Sequence, residues 1–183
     1  MKKYSLLVFS LGLIILFSCS RSNKYAEIQK LESELYSENF VFDAEGKAKA
    51  STLVQAYLTF TEEHPQDTAA PIYLFKAADL SMNLGDASRA INLYNKVIYA
   101  YPDFEKNPQC LFLMAFIYEN YLQNYGKAKE VYELFLQKYP DHEFADDAQM
   151  SLQNLGKSPE ELIREFEAKN ESQQSAVSGQ QSN

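Results

Sequence analysis

The stretch Ala90-Ile91-Asn92-Leu93-Tyr94-Asn95-Lys96-Val97-Ile98-Tyr99-Ala100-Tyr101-Pro102 is echoed by Ala128-Lys129-Glu130-Val131-Tyr132-Glu133-Leu134-Phe135-Leu136-Gln137-Lys138-Tyr139-Pro140. Each copy sets a small residue first, an aromatic four positions on, and a Tyr-Pro stop whose proline lies eight past that aromatic. A weaker third copy keeps Tyr57, Phe60 and Pro65 in the same order, with the same eight-residue step. Apolar residues three and four apart share one face of a helix. A residue before proline is pushed out of the helical region, so each phrase reads as an amphipathic helix with a fixed end. Pro65, Pro102 and Pro140 lie 37 and 38 residues apart. A period of that length marks stacked helical hairpins, because one such unit cannot bury its apolar face alone.

The flanking sequence extends the pattern. From Lys24 to Tyr36, Tyr25, Ile28, Leu31 and Leu35 recur at helical spacing with Glu27, Lys30, Glu32 and Glu34 opposite. Ser37 to Gly46 break the period, and a second helix is predicted from about Lys47 to Glu63, presenting Leu53, Ala56, Tyr57 and Phe60. Asp67 and Thr68 are placed to cap a third helix reaching about Leu84, and Gly85-Asp86 turns the chain into a fourth from Ala87 to Tyr101. Asn107-Pro108 opens a fifth helix to about Gln123, and a sixth runs from Tyr125 to Tyr139. Asp141 opens a seventh to Leu155, which Gly156 ends. Ser158-Pro159-Glu160-Glu161 reads as a capping box for an eighth, to about Lys169. The fold class expected is all-α: about three helical hairpins with C-terminal capping helices.

Composition agrees. In 183 residues there are only six Gly and six Pro, too few to punctuate many short strands, which favours long helices in one domain. The formal charge is −8 with no basic block, which disfavours nucleic acid as a partner. Lys2 and Lys3, an apolar run of 12 residues from Leu6 to Phe17, and then Ser18-Cys19 read as a secretory signal. That run falls short of the roughly 20 residues a membrane-spanning helix needs. Residues 1–18 are therefore read as signal peptide, 19–23 as a lipidated Cys and tether, 24–169 as the repeat domain, and 170–183 as a disordered tail. Removing Lys2 and Lys3 takes the formal charge from −8 to −10. With Cys19 lipidated, Cys110 has no disulfide partner, and its apolar surroundings suit a buried structural thiol.

Several resemblances follow from these residues. Leu16-Phe17-Ser18-Cys19 resembles a bacterial lipobox, which implies a lipid anchor on Cys19; the alternative is an ordinary signal cleaved nearby. The units at Ala78, Leu84-Gly85-Asp86, Ala90, Tyr94 and Pro102, and at Ala115, Tyr118, Ala128, Tyr132, Phe135 and Pro140, resemble the tetratricopeptide repeat, one residue longer between Asn120 and Tyr125 in the second. The first unit departs from that pattern, with Leu53 where Ala belongs. From Lys24 to Glu167 the chain looks like a short tetratricopeptide-repeat lipoprotein of Bacteroidetes type, carried by Tyr73-Leu74-Phe75-Lys76-Ala77-Ala78, Phe116-Ile117-Tyr118 and Asn154-Leu155-Gly156-Lys157-Ser158-Pro159. More distantly it is similar to BamD-like lipoproteins of outer-membrane protein assembly and to the repeat protein of the Tol–Pal region. The resemblance implies a tetratricopeptide-repeat α-solenoid that binds another envelope protein or peptide, without catalysis or cofactor, at the periplasmic face of the outer membrane.

Such repeats line their concave side with the first helix of each hairpin. That register offers Ile72, Phe75, Asp79, Met82 and Asn83 from one unit and Phe112, Phe116, Glu119 and Asn120 from the next as partner-binding residues. The alternative is that Phe75, Phe112 and Phe116 pack the first helices together. Sugar stacking by Tyr73, Phe75, Phe112 and Tyr118 would instead suit a glycan or peptidoglycan adaptor, provided those rings are exposed. Asp141-His142-Glu143 with Asp146 and Asp147 brings one nitrogen ligand among acids; this is better read as a helix start whose dipole the acids complement. No catalytic or metal residue is assigned.

Overall fold

The computed structural model describes residues 23–37 and 41–180, with side chains as far as 168 and at 170 and 171. The signal peptide, Cys19, the tether as far as Ser22 and residues 181–183 lie outside the described residues. The described chain is helical throughout: α1 (residues 23–35), α2 (Ala44–Glu63), α3 (Ala70–Asn83), α4 (Ala87–Ala100), α5 (Asn107–Asn120), α6 (Tyr125–Lys138), α7 (Ala145–Asn154) and α8 (Pro159–Gln180).

The period seen in the prolines has a structural counterpart in the turns. After α2, the N–H groups of His64, Asp67 and Ala70 bond to the carbonyls of Phe60, His64 and Asp67. After α4 the same three steps run through Tyr101, Phe104 and Asn107, and after α6 through Tyr139, His142 and Ala145. Each proline follows directly on the residue that closes its helix. The opposite turns are also built alike. Gly85 (φ +84°) precedes the N-cap Asp86, whose carboxylate accepts from Arg89 N–H at 3.0 Å. Gln123 (φ +49°) precedes Asn124, which accepts from Lys127 N–H at 3.1 Å. Gly156 (φ +76°) precedes the capping box of α8, where Ser158 N–H donates to Glu161 at 2.8 Å and Glu161 N–H to Ser158 at 3.2 Å.

The chain forms two compact units, dividing within α5 after Cys110. In the first, Tyr57 and Phe60 of α2 are fully buried. Tyr73 of α3 stacks on Tyr57 at 5.2 Å and meets Phe60 edge-on at 4.9 Å. Tyr25 of α1 closes on Phe60 at 4.8 Å and donates its hydroxyl to Asp67 at 2.8 Å. Ala77 and Ala78 of α3 and Ala90 of α4 have no exposed surface, which lets these helices approach closely. In the second unit, Ala128, Tyr132, Phe135 and Ala148 are fully buried, and Phe112 stacks on Phe144 at 4.9 Å.

Four expectations from sequence need correction. Asp67 does not cap α3: its carboxylate accepts from Ala69 N–H within the preceding turn, and Pro71 lies in the first turn of a helix that starts at Ala70. Asn107 is inside α5, and its amide donates backwards to the carbonyls of Tyr101 and Pro102 at 2.8 and 2.9 Å. Asp141 does not open α7, which begins at Ala145 after His142 Nδ1 has accepted from Phe144 N–H. Finally, α8 continues to Gln180, past the Lys169 end expected and through most of the stretch read as a disordered tail. Gln, Glu and Ala in that stretch are adequate helix formers, and no proline stops it.

Candidate functional site

The repeated tyrosine is the hub of the hairpins that contain Tyr57, Tyr94 and Tyr132. Tyr94 is fully buried and its hydroxyl donates to Asp79 of α3. Tyr132 is fully buried and donates to Glu119 of α5 at 2.9 Å. Tyr57, also fully buried, donates to Glu32 of α1 at 2.6 Å. The first repeat is thus the hairpin α1–α2, despite Leu53 in the small-residue position. Burial is the main force raising the hydroxyl pKa of Tyr57 and Tyr132, and the carboxylate hydrogen bond adds to it. Burial likewise pushes the Asp79 carboxyl up, while the hydrogen bond from Tyr94 partly offsets this. Lys76 Nζ donates to the same Glu32 oxygen at 2.6 Å, so one carboxylate ties α1 to both α2 and α3.

This arrangement reassigns several residues read from sequence as partner-binding. In the first unit Phe75 is buried against Tyr94 (5.8 Å) and Phe104 (6.3 Å), with Lys106 Nζ 4.9 Å from its ring centroid. Asp79 is half-buried and engaged by Tyr94; Met82 is half-buried, while Ile72 and Asn83 are exposed. In the second unit Phe112 meets Tyr132 and Phe135 edge-on at 5.8 Å each, and Phe116 is half-buried beside Tyr121 at 6.2 Å. Glu119 is half-buried and takes the Tyr132 hydroxyl, and Asn120 is exposed with its amide donated to the Phe116 carbonyl at 3.1 Å. Phe75 and Phe112 thus serve packing, against the second helix of their own hairpin and the turn that follows it and not between first helices. Tyr73 and Phe75 are buried and offer no ring to a sugar; Phe112 and Tyr118 are half-buried.

The first unit has a groove that sequence reading missed. Leu35 and Tyr36 at the end of α1, Phe42 before α2, and Leu80 and Asn83 at the end of α3 enclose about 410 Å³. Tyr36 is 67 % exposed and Phe42 43 %, so the rim is apolar and open. Of the predicted set, Asn83 alone lines it. The signal for the others was slight: two aromatics flanking a break in helical period, with nothing in their spacing to join them to α3. A second cleft of about 540 Å³ lies between the α2–α3 and α4–α5 turns, walled by Pro65, Asp67, Pro71, Tyr101, Pro102 and Phe104. These are the residues that build the turns, so its shape follows from the repeat.

Burial pushes the Cys110 thiol up to about 12, which suppresses the nucleophilic thiolate. Among the described residues no group of three or more His, Cys, Asp or Glu side chains is placed to hold a metal ion, and no helix is long and apolar enough to cross a membrane. No curated protein matches the chain. Two stretches match the tetratricopeptide repeat family model: residues 73–103, which span most of α3 and all of α4, and residues 109–142, which span most of α5 and all of α6. With hairpins in tandem and, in the two matched stretches, a small buried residue (Ala90, Ala128) four before a buried tyrosine (Tyr94, Tyr132), the fold class is the tetratricopeptide-repeat α-solenoid, and these two stretches are tetratricopeptide repeats.

Proposed function

We propose that this chain is a non-catalytic scaffold of a bacterial cell envelope that holds a partner protein in the groove between α1 and α3. Tetratricopeptide repeats are in general protein-interaction modules, and such arrays present recognition surfaces on a rigid frame. The single observation that supports a site here is the open apolar groove of Leu35, Tyr36, Phe42, Leu80 and Asn83. Its volume suits one large apolar side chain of a peptide or helix, and Asn83 at the rim can bond a backbone amide. Its frame is held by the Tyr57–Glu32–Lys76 cluster.

The placement in the envelope rests on Lys2, Lys3, the apolar run and Leu16-Phe17-Ser18-Cys19. In this reading Cys19 carries lipid, the chain sits on the periplasmic side of the outer membrane, and the resemblance points to outer-membrane protein assembly as the pathway served. The anchor would raise the local concentration of the groove near a membrane-bound partner. Two variants test the parts separately. Cys19→Ala should release the protein from the membrane fraction and abolish the lipid mass; a variant that stays membrane-bound defeats the anchor. Leu80→Asp should abolish partner capture by a crosslinker at Tyr36 without detaching the protein from membranes; unchanged capture defeats the groove.

A further inference from the structure

The last hairpin keeps the register of the others and leaves it uncovered. Ala90 and Tyr94 lie four and eight residues past the N-cap Asp86, and Ala128 and Tyr132 four and eight past Asn124. The same count from Ser158, which forms the capping box of α8, lands on Leu162 and Phe166. Where the first four side chains are fully buried, Leu162 is 36 % and Phe166 66 % exposed, and the adjacent Ile163 is 58 % exposed. Every side chain from Pro159 to Ala168 is exposed. Residue size at this register does not explain the difference. Leu53 stands at the same step before Tyr57 and is fully buried, in a helix that meets α1 and α3 through Tyr25–Phe60 and Tyr57–Tyr73. What the stripe on α8 lacks is a helix laid over it, and a helix with no buried face is marginal in water.

Charge selects among the candidates for that place. Around the stripe, Glu160, Glu161, Glu165 and Glu167 are exposed against Arg164, and Lys157 is held by Glu165 at 2.7 Å. Asp146 and Asp147 of α7 are exposed as well. A second copy of this chain, with formal charge −8, and an anionic bilayer would both meet like charge. We infer that α8 is a docking strip for one amphipathic helix of a partner protein, whose apolar stripe covers Leu162, Ile163 and Phe166 and whose flanks carry Lys or Arg. The partner helix supplies from outside the cover that a further hairpin would supply from within. This surface is distinct from the α1–α3 groove, and the inference stands or falls without it.

The test uses the full chain and a synthetic amphipathic helix with a Leu stripe, Lys flanks and one Trp. The chain contains no Trp, so the probe alone reports. Wild type should give a saturable blue shift of the probe's emission. Ile163→Ser with Phe166→Ser should weaken binding by about tenfold or more, and Glu160→Gln with Glu167→Gln by several-fold at low salt. Both variants should keep the wild-type circular dichroism and melting, since the altered side chains are exposed. Equal binding of a probe with the same residues in scrambled order, or of the Ser variant, would overturn the inference. So would self-association of the wild type that the Ser variant loses, or uptake by phosphatidylglycerol vesicles that the Ser variant loses.

Discussion

Replacing Tyr94 by Phe removes one hydroxyl and leaves the buried ring in place, so it isolates the bond to Asp79 that ties α4 to α3. A hydrogen bond to a charged group contributes about 1.5–3 kcal/mol. Asp79 is half-buried, so water can partly replace the lost donor, which sets the expected cost near the lower end, about 1.5 kcal/mol. For a chain of this size that lowers the melting midpoint by about 3–6 °C. Tyr99, which is 83 % exposed, provides the control: Tyr99→Phe should shift stability by no more than about 0.5 kcal/mol. Calorimetry or urea melts on Tyr94→Phe, Asp79→Ala, which removes the acceptor, and the double variant complete a cycle, and the coupling should be close to 1 kcal/mol or more. Equal melting of Tyr94→Phe and Tyr99→Phe, or additive single effects in the cycle, would refute the idea that the repeated tyrosine is the hub of its hairpin.

Three further expectations come from the same structure. Burial raises the Asp79 carboxyl, so its charged form is the disfavoured one in the fold. Its contribution is fully present below the ordinary carboxylate range and is lost as pH rises through the raised value; Asp79→Asn, which keeps an oxygen for Tyr94, should melt with less pH dependence between about 4 and 7 and be no less stable at neutral pH. At the hairpin turns, Gly85→Ala should cost about 1 kcal/mol through its positive φ alone, since an added Cβ meets nothing within 4 Å, while Gln123→Gly should gain up to about 1 kcal/mol by relieving a left-handed non-glycine; chemical melts read both. In the Cys19→Ala background, Cys110 should resist thiol reagents in the native protein and react at once in denaturant, because it is fully buried and its thiol is pushed up to about 12.

Features set by local chemistry were legible in the sequence. Proline spacing marked the ends of α2, α4 and α6, and Ser158-Pro159-Glu160-Glu161 foretold a reciprocal capping box. Gly85-Asp86 announced a turn, and Gln123-Asn124 repeats it with Gln123 in the left-handed conformation; the extra residue of that repeat falls before Gln123, after α5 ends at Asn120. Features set by distant contacts were not legible. The bonds from Tyr57, Tyr94 and Tyr132 to acids span 25, 15 and 13 residues, so Asp79 and Glu119 looked like free groove edges. The repeat register offers Phe75 either to the concave face or to packing, and only the fold decides, because Phe104 and Lys106 from the following turn cover it. Asp141 looked like a helix start because acids favour one, whereas the turn scheme reserves Tyr139 to Ala145 for itself and delays α7. The groove escaped because Tyr36 and Phe42 meet Leu80 and Asn83 only through the packing of α1 onto α3.

The claim that the α1–α3 groove holds a protein partner is tested most directly by a photo-crosslinking residue placed at Tyr36 or Asn83 in living cells, with Tyr99 as the control site. Tyr36 and Asn83 line the groove, and Tyr99 is an exposed side chain of α4 that does not. One membrane-associated protein should crosslink from both groove positions, be absent from Tyr99 and be lost with Leu80→Asp. Adducts of equal yield from all three positions, or adducts that survive Leu80→Asp, would contradict it.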